Sequence, residues 1–359
     1  MANRSIRGND KEGEIMKTLK VKLMQHTPLI HFQHNQYEAT LRASEVKPKL
    51  DRFILTKLGE GNYNNGSDKA KEEGWLIGKG VNCALDYKIH VSVGKKKEGI
   101  KLGTKKNERG KRITTNFPML LSNMGGKDTD DELVNFSMYE NVYLDFFCRH
   151  DGLLEKIKDS APYFFANINF GQRSNKGFGS FTVTSMKYED SIISVNSIGT
   201  EPYYIPKYTL YMDFAINESM YPLQEQINLF KIIESFWNQI KSQIKSQKKS
   251  HIKSEDVNKF ELLQSYIKEK EINPDKRKPA PVIFKPISYE ESNKVRYSVY
   301  IMSDKDMLGK LLIRKSNLTE EEKNLETIIT YSIEYIDNFI IGDSESRSVN
   351  GVKVKFYEQ

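Results

Sequence analysis

The sequence predicts an α+β fold made of two similar β-α-β-β-α-β units in tandem. Segments that alternate between apolar and polar residues predict strands, and stripes of apolar residues at helical spacing predict helices between them. The motif Arg-Ser-x-x-Gly starts at Arg173 and again at Arg347, each time just before the last strand of a unit. We therefore predict two tandem ferredoxin-like, RRM-like domains, at residues 17–195 and 196–359, after a flexible N-terminus at 1–16.

The first unit is read from the following segments. We predict a helix that Ser44 caps and Gly59 ends, and a short second helix in DGLLEKIKDSAPYF (151–164). The predicted strands are KTLKVKLMQH (17–26), LDYKIHVSV (85–93), VYLDFFCR (142–149), FFANINF (164–170) and GSFTVTSM (179–186).

The second unit repeats this order. Residues 222–247 carry an apolar helical stripe, and a capping box at Thr319 and Glu322 opens a second helix. The predicted strands are TLYMDF (209–214), VIFKPI (282–287), VRYSVYIM (295–302) and VKVKFYE (352–358).

Length and composition narrow the class of protein. A chain of 359 residues exceeds what one hydrophobic core usually serves, which supports two domains. The 55 Lys and Arg residues against 48 Asp and Glu residues give a net charge of +7. Cys83 and Cys148 make neither a disulfide framework nor a zinc-finger spacing, which fits a reducing compartment. Without a signal peptide or an apolar stretch of membrane-spanning length, we expect a cytoplasmic protein with no membrane partner.

The stretch FGQRSNKGFGSF (170–181) is the most informative motif. Its glycine spacing and the strand that follows it match neither the dinucleotide-binding fingerprint nor the Walker loop, both of which open a helix. Glycine-rich turns can present backbone amides to an anion, and nearby cations can neutralise phosphates. The alternative is a tight connection between strands, with glycines required for its shape and phenylalanines in the core.

This loop resembles that of the RAMP superfamily of CRISPR-associated RNA-binding proteins, in which G-x-x-x-R/K-G-F/Y-G-S precedes a final strand. Residues 26–29 (HTPL) and 39–54 (ATLRASEVKPKLDRFI) are similar to the first strand and helix of a RAMP subunit of type III-B effector complexes. The resemblance implies RNA (guide, target or both) and other subunits of a defence ribonucleoprotein as partners. It places the RNA contacts at Gly171, Arg173, Ser174, Lys176, Gly177, Phe178 and Gly179, and at Arg42 and Lys47. We expect Phe178 to stack on a base, because unstacked RNA bases are commonly held on aromatic faces.

Charge is concentrated between residues 88 and 112, where ten Lys and Arg residues face two Glu residues. Four glycines in the same segment predict a mobile insertion that wraps a nucleic-acid backbone. The alternative is a solvated loop that aids solubility. The predicted phosphate contacts of this insertion are Lys95, Lys96, Lys97, Lys105, Lys106 and Arg109.

Two other classes of function remain open. A guide-RNA-processing endoribonuclease of the same fold would use His31, His34 and Lys47 for metal-independent acid–base cleavage. A protein-assembly scaffold would bind no RNA through these residues. His26, His31 and His34 do not have an established zinc spacing, and we predict no metal or cofactor.

Overall fold

A computed structural model describes residues 16–30, 40–78, 84–102, 104–106, 108, 112–114, 134–189, 191–195, 208–215, 229–230, 233–234, 282–291, 294–303, 348–349 and 352–358. The helices are α1 (Ala43–Leu58), α2 (Tyr63–Glu72) and α3 (Asp151–Asn167). The first half contains strands β1 (Lys17–Gln25), β2 (Leu76–Ile77), β3 (Ala84–Leu85), β4 (Tyr87–Val93), β5 (Lys96–Leu102), β6 (Thr104–Lys106), β7 (Arg112–Thr114), β8 (Val134–Tyr139), β9 (Val142–Cys148), β10 (Phe181–Tyr188) and β11 (Ser191–Ser194). The second half contains β12 (Tyr208–Ala215), β13 (Val282–Glu291), β14 (Lys294–Ser303), β15 (Ser348–Val349) and β16 (Val352–Glu358).

The first half forms an antiparallel sheet in the order β11-β10-β1-β9-β4. Strands β1, β4, β9 and β10, with α1 and α3 between them, give the predicted β-α-β-β-α-β order, and the last strand lies beside the first. Alternate residues of β1, including Leu19, Val21 and Leu23, are buried on one face of this sheet. The helices cover that face, where Phe53 of α1 packs edge-on against Phe164 of α3 with centroids 5.6 Å apart.

The second half forms another antiparallel sheet, in the order β13-β14-β12-β16-β15. Its four main strands are placed relative to one another as in the first sheet. Leu229, Phe230 and Ile233 lie in helical segments of the predicted 222–247 helix and are buried. The predicted helix after Thr319 lies outside the described residues. The α+β class is confirmed, while the division into two ferredoxin-like domains stays a prediction.

The basic insertion contains a β-ribbon. Strands β4 and β9 pair along their length in the main sheet. The chain continues from β4 into β5 and enters β9 from β8, and β5 and β8 pair with each other but not with the main sheet. Backbone hydrogen bonds from Gly94 to Asn141 and from Glu140 to Lys95, both 2.9 Å, carry the pairing across the junction. Where the structure describes the insertion, it is therefore built of paired strands, and its mobility stays a prediction.

Several local predictions are corrected. Helix α1 begins one residue before Ser44, with exposed Arg42 at its N-cap and no side-chain cap hydrogen bond, so Ser44 is not the cap. Helix α3 continues to Asn167 instead of ending early, so 164–167 is not strand. Gly59 does end α1, but its φ of −88° is ordinary. A Cβ at Gly59 would lie 1.9 Å from the carbonyl oxygen of Asn62, so close approach, not a left-handed turn, requires glycine there.

Among the described residues, no helix is long and apolar enough to cross a membrane.

Candidate nucleic-acid interface

The loop between α3 and β10 takes the conformation that its glycines allow. Gly171, Gly177 and Gly179 have φ values of +75°, +91° and +65°, and Arg173 also has a positive φ of 54°. Residues other than glycine rarely adopt a positive φ, so the backbone conformation of this loop accounts for its three glycines in nine residues.

The loop amides donate to acceptors of the protein itself. The Gly171 amide donates to carboxylate Oε1 of Glu45 in the first turn of α1, at 2.6 Å. The Gly179 amide donates to the carbonyl of Pro28, at 2.8 Å. The loop is therefore tied to α1 and to the segment after β1, and these two amides are occupied by intramolecular bonds.

Phe178 lies inside the protein. Its side chain is 2% exposed, and its ring stacks on that of Phe230 with centroids 3.8 Å apart and planes 3° apart. A base would have to displace Phe230 to stack on this ring. The expectation that Phe178 stacks on RNA is therefore wrong for this conformation, because a ring from the 222–247 segment occupies the position.

The loop is also joined to strand β13 of the second sheet by backbone and amide hydrogen bonds. The Phe284 amide donates to the carbonyl of Asn175 at 3.0 Å. The side-chain amide of Asn169 donates to the carbonyls of Phe284 and Ser174, both at 2.7 Å. The first and second halves therefore meet at the glycine-rich loop.

Two buried side chains strengthen this joint. The ammonium group of Lys285 is fully buried and donates to the carbonyls of Ile168 and Phe181, each at 3.0 Å. Burial lowers the pKa of Lys285 well below its ordinary value. The hydroxyl of Ser180 donates to the carbonyl of Pro286 at 2.5 Å. All three of these contacts end on backbone carbonyl groups.

His26 lies at the same joint and is buried. The Ser288 amide donates to its Nδ1 at 3.0 Å, so Nδ1 accepts and Nε2 carries the proton toward the hydroxyl of Thr182, at 2.7 Å. Burial first, and then the positive charges of Lys285 and Lys97, lower the pKa of His26 from 6.5 to about 3. A neutral, buried imidazole of this kind holds structure together and is not placed to reach an RNA substrate.

The loop cations are half-buried. Burial lowers the pKa of Arg173, while the carboxylate of Glu234 in the adjoining helical segment opposes that shift. Lys176 and Ser174 are half-buried as well. The loop therefore presents its polar residues at the margin of the joint and its aromatic residue inside it.

Three of the predicted RNA contacts that are exposed lie at the start of the ribbon. Lys95, Lys96 and Lys97 are exposed, and the side chain of Lys95 is 81% accessible. Lys95 is 4.0 Å from the carboxylate of Glu140, a surface distance at which an ion pair stabilises little. Lys105 and Lys106 lie in β6, for which the backbone alone is described, and Arg109 lies outside the described residues.

Lys47 is engaged within the first domain. Its ammonium group lies 3.0 Å from the carboxylate of Asp51, donates to the carbonyl of Leu85 at 2.7 Å and stands 3.8 Å over the ring of Tyr87. These intramolecular contacts engage the ammonium group of Lys47, for which the sequence predicted a role in RNA binding or catalysis. His31 and His34 lie outside the described residues, so the nuclease hypothesis stays a prediction.

Sequence reasoning missed the residues of the second half that complete the joint, notably Phe230, Lys285 and Ser288. In VIFKPI, alternation places Lys285 on the face opposite Phe284, which predicts exposure; the structure buries both. No local signal marks this, because the partner surface comes from a loop more than one hundred residues away. Among the described residues, no three His, Cys, Asp or Glu side chains come together as a metal site.

The match to a family model shows that the chain is a RAMP-like CRISPR-associated protein, as the resemblance in sequence predicted. The chain belongs to the family described as Cmr1 N-terminal domain, which matches residues 16–244. No curated protein matches the sequence significantly.

Solved structures with similar chains include two from cryo-EM and one from crystallography. A chain of the Type III-B Cmr-beta bound to cognate target RNA is 12% identical, with a TM-score of 0.30, and the match covers 50% of this chain and 61% of that one. A chain of Cmr-beta bound to cognate target RNA and AMPPnP, state 2, in the presence of ssDNA is 12% identical, with a TM-score of 0.46 and coverages of 89% and 100%. Cmr1 from Pyrococcus furiosus (apo form) is 11% identical, with a TM-score of 0.40 and coverages of 88% and 96%. At these TM-scores the similarities carry no argument about what the chain binds.

Proposed function

We propose that this chain is an RNA-binding subunit of a cytoplasmic type III CRISPR ribonucleoprotein, in which it holds guide RNA or a guide–target duplex beside other subunits. Membership of the Cmr1 family supports the kind of assembly. The observation that carries the RNA-binding part is the group of three consecutive exposed lysines, Lys95–Lys97, at the base of a β-ribbon that leaves the main sheet.

The ribbon suits a phosphate backbone. Cations that contact phosphates release condensed counterions, which drives binding without reading base identity. Successive side chains of a strand point to opposite faces, so Lys95 and Lys97 share one face of the ribbon and Lys96 lies on the other. The backbone hydrogen bonds at Gly94 and Asn141 anchor all three lysines to the sheet. The lysine-rich sequence continues through Lys101, Lys105 and Lys106 in strands β5 and β6.

The glycine-rich loop has a different part in the proposal. Its three glycines keep the loop folded between the two sheets, and Arg173 and Lys176 contribute positive charge at the margin of that joint. Exposed Arg42 at the start of α1 adds a third cation on the first domain. The loop thus positions the two halves, while exposed cations contact RNA.

The test replaces the ribbon lysines together, as Lys95→Gln, Lys96→Gln and Lys97→Gln in one protein. Affinity for labelled RNA is titrated between 50 and 300 mM salt, roughly the range in which phosphate contacts dominate. If all three lysines contact phosphates of a single strand, the slope of log affinity against log salt becomes shallower by about 2. The matched control is a protein with Lys69, Lys71 and Lys156 changed to glutamine, since these are exposed lysines on the helical face.

If the parent protein binds RNA and the ribbon variant has the same slope of log affinity against log salt, the ribbon lysines do not contact RNA. The same reactions in EDTA report on the alternatives by RNA length. Cleaved RNA would favour the endoribonuclease, and neither retention nor cleavage would favour the scaffold.

A further inference from the structure

The first sheet has a second face, on the side opposite α1 and α3. Strand β9 is central in the sheet and buries every second side chain, including Leu144 and Phe146, beneath the helices. The intervening residues Tyr143, Asp145 and Phe147 therefore point to the other side. Tyr143 is 37% exposed and Phe147 is partly exposed, so two aromatic rings lie on an accessible sheet face.

Strand register surrounds these rings with polar and basic neighbours. Tyr143 lies opposite Lys22 of β1 on one side and Ser92 of β4 on the other. Phe147 lies opposite Lys88 of β4, which is exposed. Directly opposed residues of antiparallel strands have neighbouring side chains, so each ring has a lysine beside it.

Charge on this face is strongly of one sign. Among the described residues of β1, β4, β9 and β10, Asp145 carries the one carboxylate on this face. Its carboxylate oxygens lie 3.9 Å from the ammonium group of Lys20 and 3.8 Å from Nδ1 of His90. The lysines that the register places on the same face are Lys20, Lys22, Lys88 and Lys187.

We propose that this open sheet face binds single-stranded RNA, stacking two bases on Tyr143 and Phe147 while the four lysines contact phosphates. The inference rests on the proposed RNA-binding function and adds a second site to it. Tyr143 and Phe147 are four residues apart on β9, with Asp145 between them on the same face, so the rings lie about 14 Å apart along the strand. The two stacked bases therefore belong to nucleotides that are separated by at least one other nucleotide of the splayed single strand. Duplex bases are already stacked on one another and offer no free face to the rings, which commits this surface to unpaired RNA.

The face is continuous with the ribbon. Tyr143 lies two residues after Asn141, where the hairpin of β4 and β9 passes into the hairpin of β5 and β8. A strand of RNA on the phosphate contacts of Lys95–Lys97 can therefore extend over Tyr143 and Lys22 without crossing the body of the domain.

The experiment measures binding of a fluorescein-labelled twelve-nucleotide oligouridylate, and of an RNA duplex of the same length, to the full chain. Tyr143→Ala and Phe147→Ala should each weaken binding of the single strand by about tenfold, because loss of one base–aromatic stack has roughly that effect. Both should change duplex affinity by less than about twofold. Tyr143→Phe, which keeps the ring, should restore most of the single-strand affinity.

Tyr63→Ala is the control, because Tyr63 is a similarly exposed ring on α2, away from this sheet face. Melting curves of each variant exclude loss of folding as the cause. If Tyr143→Ala and Phe147→Ala bind the single strand like the parent while the Lys95–Lys97 variant binds more weakly, the sheet-face site is overturned and the proposed function stands. If the parent itself binds neither RNA at low salt, both are overturned.

Discussion

The rings of Phe178 and Phe230 stack face to face, with centroids 3.8 Å apart and an angle of 3° between their planes. Phe178 belongs to the glycine-rich loop of the first half, and Phe230 belongs to the helical segment that follows the first strand of the second. This pair joins the glycine-rich loop to the helical segment of the second half. Its geometry makes the loop a structural connector first, and a binding element only through the charges at its margin.

The Phe178–Phe230 pair predicts a measurable coupling. Phe178→Ala and Phe230→Ala should each lower the free energy of unfolding by about 3–5 kcal/mol, because each removes a buried ring and leaves a cavity. The double variant should lose less than the sum, with a coupling of about 0.5–1.5 kcal/mol from the stacked pair. Chemical denaturation of the four proteins gives the cycle. Additive losses would mean that the two rings do not touch in solution.

Gly177→Ala should destabilise the protein more than Gly74→Ala does. Both glycines have positive φ, +91° and +72°, so each substitution carries a backbone strain of about 1–2 kcal/mol. A Cβ at Gly177 would also lie 2.7 Å from the ring of Pro286, whereas a Cβ at Gly74 meets nothing within 4 Å. The contact with β13 should add about 1–3 kcal/mol. Equal losses in denaturation would show that the loop is not packed on β13.

Acid should destabilise the protein through His26. In the folded protein its pKa is lowered to about 3, while the unfolded chain has an ordinary value of 6.5. Below pH 6.5 the unfolded chain therefore binds a proton that the folded protein does not. The contribution of neutral His26 to the free energy of unfolding is present in full above pH 6.5. It is lost as the pH falls toward 3, by up to about 1.4 kcal/mol per pH unit.

Replacing His26 with glutamine should flatten this part of the stability profile, measured by denaturation between pH 7 and pH 4, roughly the span of the expected proton uptake. The control is His90→Gln, because His90 is exposed on an edge strand of the first sheet. An unchanged acid profile in the His26 variant would indicate that other buried groups dominate acid unfolding.

Lys47→Met should lower stability and leave RNA affinity near that of the parent. The substitution removes the partner of Asp51, whose side chain is 12% exposed, and a partly buried carboxylate without its cation is unfavourable by about 1–3 kcal/mol. Lys69→Met is the comparison, because Lys69 pairs with exposed Glu60 at 4.0 Å and should change stability by less than about 1 kcal/mol. A loss of RNA affinity in a well-folded Lys47 variant would return this residue to the binding site.

Several strands of both sheets could be predicted from the sequence, because a strand with one buried face alternates between apolar and polar residues. The predicted strands at 17–26, 142–149 and 352–358 match β1, β9 and β16 to within one residue. Helix α2 was missed because YNNGSDKAKE has no apolar stripe. Its available signal was Asn62, whose side chain accepts from the amides of Asn64 and Asn65 at the helix start.

The sequence by itself determined the α+β class, the presence of a glycine-rich connection before the last strand of the first unit, and the concentration of charge between residues 88 and 112. Each of these depends on local chemistry: side-chain alternation, the absence of a Cβ, or residue charge. The tertiary structure decided that Phe178 is buried on Phe230 and that Lys285 is buried although its strand pattern predicts exposure. Burial of a side chain depends on which distant segment of the chain packs against it, and the local sequence pattern does not identify that segment.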